Sequence, residues 1–199
     1  MSKIAIDIVL LPPEEIADLA IRLSRELSGS KTNKIALGKN EGEAMPHMTL
    51  TMGCVEEKYI TEIGQVLEKF ILEFKNPTLE LTDFYDGMLG NWTGVNTSNH
   101  DEVKKLHQSI IVEIDPLIDT EVMGDVFYPP GDLKREVPEW FFGFPKPENF
   151  FPHITLGYGD ELKVNFGGVL PIKFKPAKIA ICHLGDFYTC RKILWSREI

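Results

Sequence analysis

Two histidines carry nearly the same phrase of sequence around them. Pro46-His47-Met48-Thr49-Leu50-Thr51-Met52-Gly53 returns 106 residues later as Pro152-His153-Ile154-Thr155-Leu156-Gly157-Tyr158-Gly159. The copies agree at Pro, His, Thr, Leu and the closing Gly, and at the residue after His if Met and Ile are counted as equivalent. With five His and 11 Thr in 199 residues, chance supplies roughly 0.3 His-x-Thr triplets, so one copy alone says little. Two copies with shared flanks say much more.

The chemistry follows from residue type and spacing. On a strand, residues i and i+2 point to one face, so His and Thr project together while Met48 or Ile154 and the following Leu pack inward. Thr51 and Gly157 are expected on the same side as the histidines, and Tyr158 on the opposite side as a packing residue. An imidazole with pKa near ~6.5 can take or give a proton at neutral pH. Two of them flanking phosphorus fit an in-line displacement, one collecting a proton from water and the other delivering one to the leaving oxygen. Two hydroxyls can donate to the non-bridging oxygens. His47 and His153 are therefore the candidate catalytic groups, and Thr49 and Thr155 the candidate phosphate-binding groups.

Blander roles suit the other histidines. His107 lies on an apolar helical stripe and is expected in the core, His100 at a helix start, and His183 in either core or cleft. A zinc site joining His47 and His153 to His183 or Cys182 lacks any close-spaced ligand pair, so no metal and no cofactor are expected. Three cysteines (Cys54, Cys182, Cys190) without secretory context are expected as free thiols, although Cys182 and Cys190 could face each other across a hairpin.

The elements that must position these groups read clearly. Ile4–Leu11 is a β-branched run stopped by Pro12-Pro13, hence a strand. Glu14 onward is a helix with Ile16, Leu19, Ala20, Leu23 and Leu27 on one stripe. The first repeat is a strand from His47 to about Val55, followed by a helix from about Glu57 to Phe74. Strands are expected at 78–85 and 92–96, a third helix over about 100–118, and the second repeat as a strand from His153. Strands at 172–174, 178–184 and 191–197 close the chain, giving three helices and about eight mostly hairpin-connected strands, an α+β pattern. Residues 119–151 resist a regular reading. They are rich in aromatics and prolines and are expected to form an ordered flap, with Tyr128, Lys134, Arg135, Trp140 and Phe142 as possible substrate contacts.

Composition bounds the rest. No apolar run approaches a membrane span, and the acid in Met1-Ser2-Lys3-Ile4-Ala5-Ile6-Asp7 is wrong for a signal peptide, so a cytoplasmic protein is expected. Net charge is −9, which argues against a broad surface for long nucleic acid. It divides into −14 over residues 1–162 and +5 over 163–199, so a basic wall beside a phosphate pocket stands as an alternative to ordinary solvated lysines.

His47-Met48-Thr49-Leu50 and His153-Ile154-Thr155-Leu156 resemble the paired His-x-Thr/Ser-x signature of the two-histidine phosphoesterase superfamily, the LigT-like and 2',5' RNA ligase/cyclic phosphodiesterase enzymes. Ile4-Ala5-Ile6-Asp7 is similar to that family's first strand. The resemblance implies a single bilobal domain over 1–199, with two antiparallel sheets related by a pseudo-two-fold axis, helices packed outside, and both motifs facing one central cleft. It implies a metal-independent enzyme acting on 2',3'-cyclic or 2',5'-linked phosphodiesters of nucleotides or short RNA; separately, a monomer is expected. ATP-independent 2',5' ligation of RNA, or a non-catalytic nucleotide- or RNA-binding module, are the alternatives.

Overall fold

A computed structural model describes residues 2–27, 30–88, 91–98, 100–120, 125–129, 141, 150–160, 162–164 and 166–199. The first strand, β1 (Lys3–Leu11), is buried on both faces. Its even-numbered residues, Ile4, Ile6, Ile8 and Leu10, join the main core with Ile16, Leu23, Ile63 and Leu67 from the helices. Its odd-numbered Ala5 and Val9 belong to two smaller apolar clusters on the other face. Fully burying each such side chain contributes on the order of 1.5–3 kcal/mol, so the strand is anchored from both sides.

Pro13 starts α1 (Glu14–Glu26), which carries acids in its first turn where the helix dipole favours them. Then follow β2 (Met48–Glu56), α2 (Ile60–Glu73) behind a short 3-10 turn, β3 (Leu79–Met88) and β4 (Trp92–Thr97). The third helix, α3 (Asp101–Ile114), is capped by His100, whose ring nitrogen accepts from the Glu102 N–H at 3.2 Å. The chain ends with β5 (His153–Tyr158), β6 (Ile172–Phe174), β7 (Lys178–Leu184) and β8 (Cys190–Glu198).

The described strands form two four-stranded antiparallel sheets, ordered β2-β1-β7-β8 and β5-β4-β3-β6. Among the described strands, only β3–β4 and β7–β8 are hairpins between sequential strands, so the expectation of mostly hairpin connections is corrected. The two halves exchange elements instead: β7 and β8 complete the sheet begun by β1 and β2. The helices are exchanged too. Helix α1 leaves the first sheet and packs on β5 of the second, while α3 leaves the second and packs on β2 of the first. Helix α2 covers β7 and β8.

The register reveals the pseudo-two-fold relation residue by residue. Leu10 pairs with Met48 and Val9 with Thr49; Val95 pairs with Ile154 and Gly94 with Thr155. In each motif strand the pairing then slips by one residue, at Leu50 in β2 and at Leu156 in β5. Both motif leucines are therefore β-bulges, which kink a strand and re-aim its side chains.

Cys182 and Cys190 are joined in a disulfide across the β7–β8 hairpin, with Cα atoms 5.5 Å apart, which corrects the free-thiol expectation; Cys54 is the free thiol. Two residues of a hairpin whose Cβ atoms share a face meet the spacing a bridge needs. Among the described residues no helix is long and apolar enough to cross a membrane. Of the expected flap over 119–151, residues 121–124, 130–140 and 142–149 lie outside the described residues. Phe127 and Phe141 are buried with Met52, Cys54 and Leu184.

Candidate active site

Both motif strands lie at the edge of their sheets, and β2 and β5 approach each other. His47 sits one residue before β2 and His153 opens β5. Each histidine ring is held in the same way, through the carbonyl two residues back. His47 Nδ1 donates to the Met45 carbonyl at 2.6 Å, and His153 Nδ1 to the Phe151 carbonyl at 2.7 Å. That fixes the tautomer, because the proton on Nδ1 leaves Nε2 as the nitrogen that can exchange one.

The bulges decide which neighbours share the histidine face. Thr49 pairs with Val9 of the cleft-side cluster, whereas Thr51 pairs with Ile8 of the main core. The slip at Leu50 has turned Thr51 away, and the slip at Leu156 does the same to Gly157, which pairs with Thr93. The expectation that both lie on the histidine side is corrected. The same slip returns Tyr158 to that side, in register with Trp92, as Gly94 is with Thr155 and Asn96 with His153. Tyr158 packs on Trp92 at 4.8 Å between ring centroids and on Phe187 at 5.0 Å. Its expected place on the opposite face assumed a regular strand.

Each bulge carbonyl is held by a buried side chain from an exchanged helix. Ser24 of α1 donates to the Leu156 carbonyl at 2.6 Å, and His107 of α3 donates through Nδ1 to the Leu50 carbonyl at 2.6 Å. His107 is 1% exposed and stacks on Phe150 at 4.2 Å, so it is the core residue expected, with a polar duty added. His183 is 6% exposed, and its Nε2 donates to the Val126 carbonyl at 2.8 Å. With Cys182 in a disulfide, one of the two further zinc donors weighed from the sequence is taken, and the other, His183, is hydrogen-bonded to the Val126 carbonyl. Among the described residues no group of three or more His, Cys, Asp or Glu is placed to hold a metal ion.

The two halves differ beneath the threonines. Thr49 Oγ1 donates to Asp7 Oδ2 at 2.7 Å, and the same oxygen lies 3.4 Å from His47 Nε2. Thr155 instead shares a hydrogen bond with the Tyr85 hydroxyl, which reaches over Gly94 from β3. A Cβ at Gly94 would sit 2.5 Å from that hydroxyl, so the glycine keeps the path open. Tyr85 also packs against His153 at 5.7 Å and Phe151 at 6.0 Å, while Phe151 stacks on His153 at 4.9 Å.

Electrostatics follow this asymmetry. Burial alone would pull the His47 imidazolium down, but the hydrogen bond and charge of Asp7, with the Met45 carbonyl, more than offset it and hold the ring above its ordinary value. Burial pushes the Asp7 carboxyl up against the opposing pull of His47 and Thr49. Burial takes His153 down to about 4; the Phe151 carbonyl opposes this and the charge of His47 adds to it. Burial likewise pushes the Tyr85 phenol well up, so it stays neutral.

Of the predicted site residues, His47, Thr49, His153 and Thr155 come together. Tyr128 does not join them: its hydroxyl donates to Glu41 Oε1 at 2.8 Å, and its ring packs against His183 and under Lys192. Lys134, Arg135, Trp140 and Phe142 lie outside the described residues. Asp7, Tyr85 and Gly94 were missed as site residues. Asp7 did carry a signal, an acid within a run of β-branched residues destined for burial. Tyr85 and Gly94 carried none, because their role depends on the register of three strands.

No family model matches the chain, and no curated protein sequence matches it. Solved structures do. The E. coli LigT apo structure aligns with TM-score 0.60 at 13% identity, covering 100% of this chain and 98% of LigT. A structure described as a phosphoesterase aligns with TM-score 0.60 at 13% identity, covering 100% of this chain and 99% of its own. E. coli LigT complexed with NADP+ aligns with TM-score 0.59 at 13% identity, covering 100% and 99%; LigT has also been solved with ATP and with 3'-AMP. Along its whole length, the chain has the bilobal α+β fold of LigT.

Proposed function

We propose that the protein is a metal-independent phosphodiesterase acting on 2',3'-cyclic or 2',5'-linked phosphodiesters of nucleotides or short RNA. His47 and His153 share the acid and base roles, and Thr49 and Thr155 hold the non-bridging oxygens. One observation carries this reading: two imidazoles on facing edge strands, each tied through Nδ1 to a backbone carbonyl and each left with Nε2 to exchange a proton. Two satisfied core histidines have no use for this duplication, and a binding module needs hydroxyls and cations rather than two preset proton-transfer groups. Thr49 has one proton, directed at Asp7, so an arriving phosphate oxygen must draw it away by rotating the hydroxyl. The fold supports a small nucleotide as substrate, since LigT binds NADP+, ATP and 3'-AMP. The protein is taken as a monomer.

The test is a product-resolved screen of 2',3'-cyclic mononucleotides and 2',5'-linked oligoadenylates in the presence of EDTA. Turnover is expected, with His47→Ala and His153→Ala each removing most of it and Thr49→Ala or Thr155→Ala less. Full activity in either histidine variant would sink the mechanism. Binding without turnover across a broad pH range would make the protein a binding module. The same chemistry run backwards joins a 2',3'-cyclic end to a 5'-hydroxyl, and appearance of a 2',5' linkage would identify it.

A further inference from the structure

Matched backbones hold unlike charges in the two halves of the site. Asp7 pairs in register with Met52, four residues beyond the Met48 that pairs with Leu10; the corresponding pair in the second half is Trp92 with Tyr158. An indole thus stands where the first half has a carboxylate. Thr155 finds its partner in the neutral hydroxyl of Tyr85.

Asp7 is 0% exposed, and among the described residues its Oδ1 has no hydrogen-bond partner. Taking a carboxylate out of water costs several kcal/mol, recovered only by an opposite charge and good hydrogen bonds. The described groups that act on Asp7 are His47 and Thr49, and of these His47 can carry a positive charge. His47 Nδ1 is already committed to the Met45 carbonyl, so the nitrogen beside Asp7 Oδ2 is the exchangeable Nε2.

We propose that Asp7 is a positioning residue that makes the two histidines unequal, holding His47 as the proton donor and leaving His153 as the acceptor. The proposal rests on the phosphodiesterase reading. In hydrolysis, His153 Nε2 takes a proton from water as the water oxygen bonds to phosphorus. The bond from phosphorus to the ribose oxygen breaks, and the proton on His47 Nε2 goes to that oxygen. Exchange with solvent then returns His47 to imidazolium and His153 to imidazole. The groups bearing on the pair's charge are Asp7, His47 and, across the cleft, His153. Cys182, which faces Asp7 from β7, is in the disulfide and does not titrate.

The experiment is Asp7→Asn, which keeps the shape and an acceptor for Thr49 and removes the charge. The alkaline limb of the kcat profile on a 2',3'-cyclic nucleotide, set by loss of the His47 proton, should move down by about one pH unit or more. That is about tenfold in kcat above the limb. The acid limb, set by His153, and KM should stay in place. An unmoved alkaline limb in a folded, active Asp7→Asn protein overturns the proposal and leaves the phosphodiesterase reading standing.

A second measurement covers a variant that does not fold and a protein with no turnover. In the wild-type chain labelled with 15N-histidine, with His153→Gln as the assignment control, the His47 resonances should titrate above the ordinary 6.5. Titration at or below 6.5 overturns the proposal by itself. Absence of turnover with His47 titrating high instead overturns the phosphodiesterase reading and leaves the Asp7–His47 coupling in place.

Discussion

Ser24 Oγ donates to the Leu156 carbonyl at 2.6 Å, binding a helix of the first half to the bulge of the second motif strand. The serine is 4% exposed, and Asn33 offers the same carbonyl only a weak contact at 3.4 Å. Removing the hydroxyl leaves a buried carbonyl under-satisfied, which costs about 1–3 kcal/mol. Ser24→Ala should therefore lower stability in urea denaturation by that amount. It should also reduce turnover, because the bulge sets the direction of Thr155. A loss within measurement error would show that the bulge holds itself.

Gly94→Ala tests the path between Tyr85 and Thr155. The added methyl would sit 2.5 Å from the Tyr85 hydroxyl and equally close to the Ile154 carbonyl, so the tyrosine or the strand must shift. Overpacking of this kind costs about 1–3 kcal/mol. Turnover should fall toward that of Thr155→Ala, because a displaced Tyr85 no longer orients the Thr155 hydroxyl that the alanine variant lacks altogether. A Gly94→Ala protein with wild-type stability and kcat would show that the Tyr85 bond carries no function.

The order and type of elements were legible in the sequence, since β1 is a continuous apolar, β-branched run stopped by Pro12-Pro13 and buried on both faces, while α1, α2 and α3 each bury one periodic stripe. So were the four motif groups, because His and Thr at spacing two need only a strand to share a face. Whatever depends on a slip in register was not legible. Thr51 and Tyr158 were placed on the wrong faces because a single bulge reverses the alternation beyond it. The disulfide depended on which hairpin residues share a face, and the partners of the threonines lie on neighbouring strands no local pattern connects. Asp7 sits between these cases: its oddity was visible, its partners were not.

The Cys182–Cys190 bond closes a short loop, and its removal should cost about 2–3 kcal/mol if loop entropy dominates. Thiol alkylation followed by mass spectrometry gives the direct check. Denatured without reductant, one cysteine should be labelled; after reduction, three. Without denaturant Cys54 should resist labelling, since burial first, with Asp119 adding to it, pushes its thiol up to about 12. Three labelled cysteines in the unreduced protein would rule the bond out.

Acid should destabilise the fold through His153. Its pKa falls from 6.5 in the unfolded chain to about 4 in the folded one, so the folded state refuses a proton that the unfolded state accepts. The stability this neutral ring contributes is complete above pH 6.5 and is lost as pH falls toward about 4, a difference on the order of 2–3 kcal/mol. His107 and His183, both lowered by burial, act in the same direction. His47, held above its ordinary value, acts in the opposite one. The isolating measurement is the difference in unfolding free energy between wild type and His153→Gln from pH 7.5 to 4. His153→Gln should gain on the wild type as the pH falls, since glutamine has no proton to refuse. Parallel curves would mean that His153 titrates normally and that its partial burial does not lower its pKa.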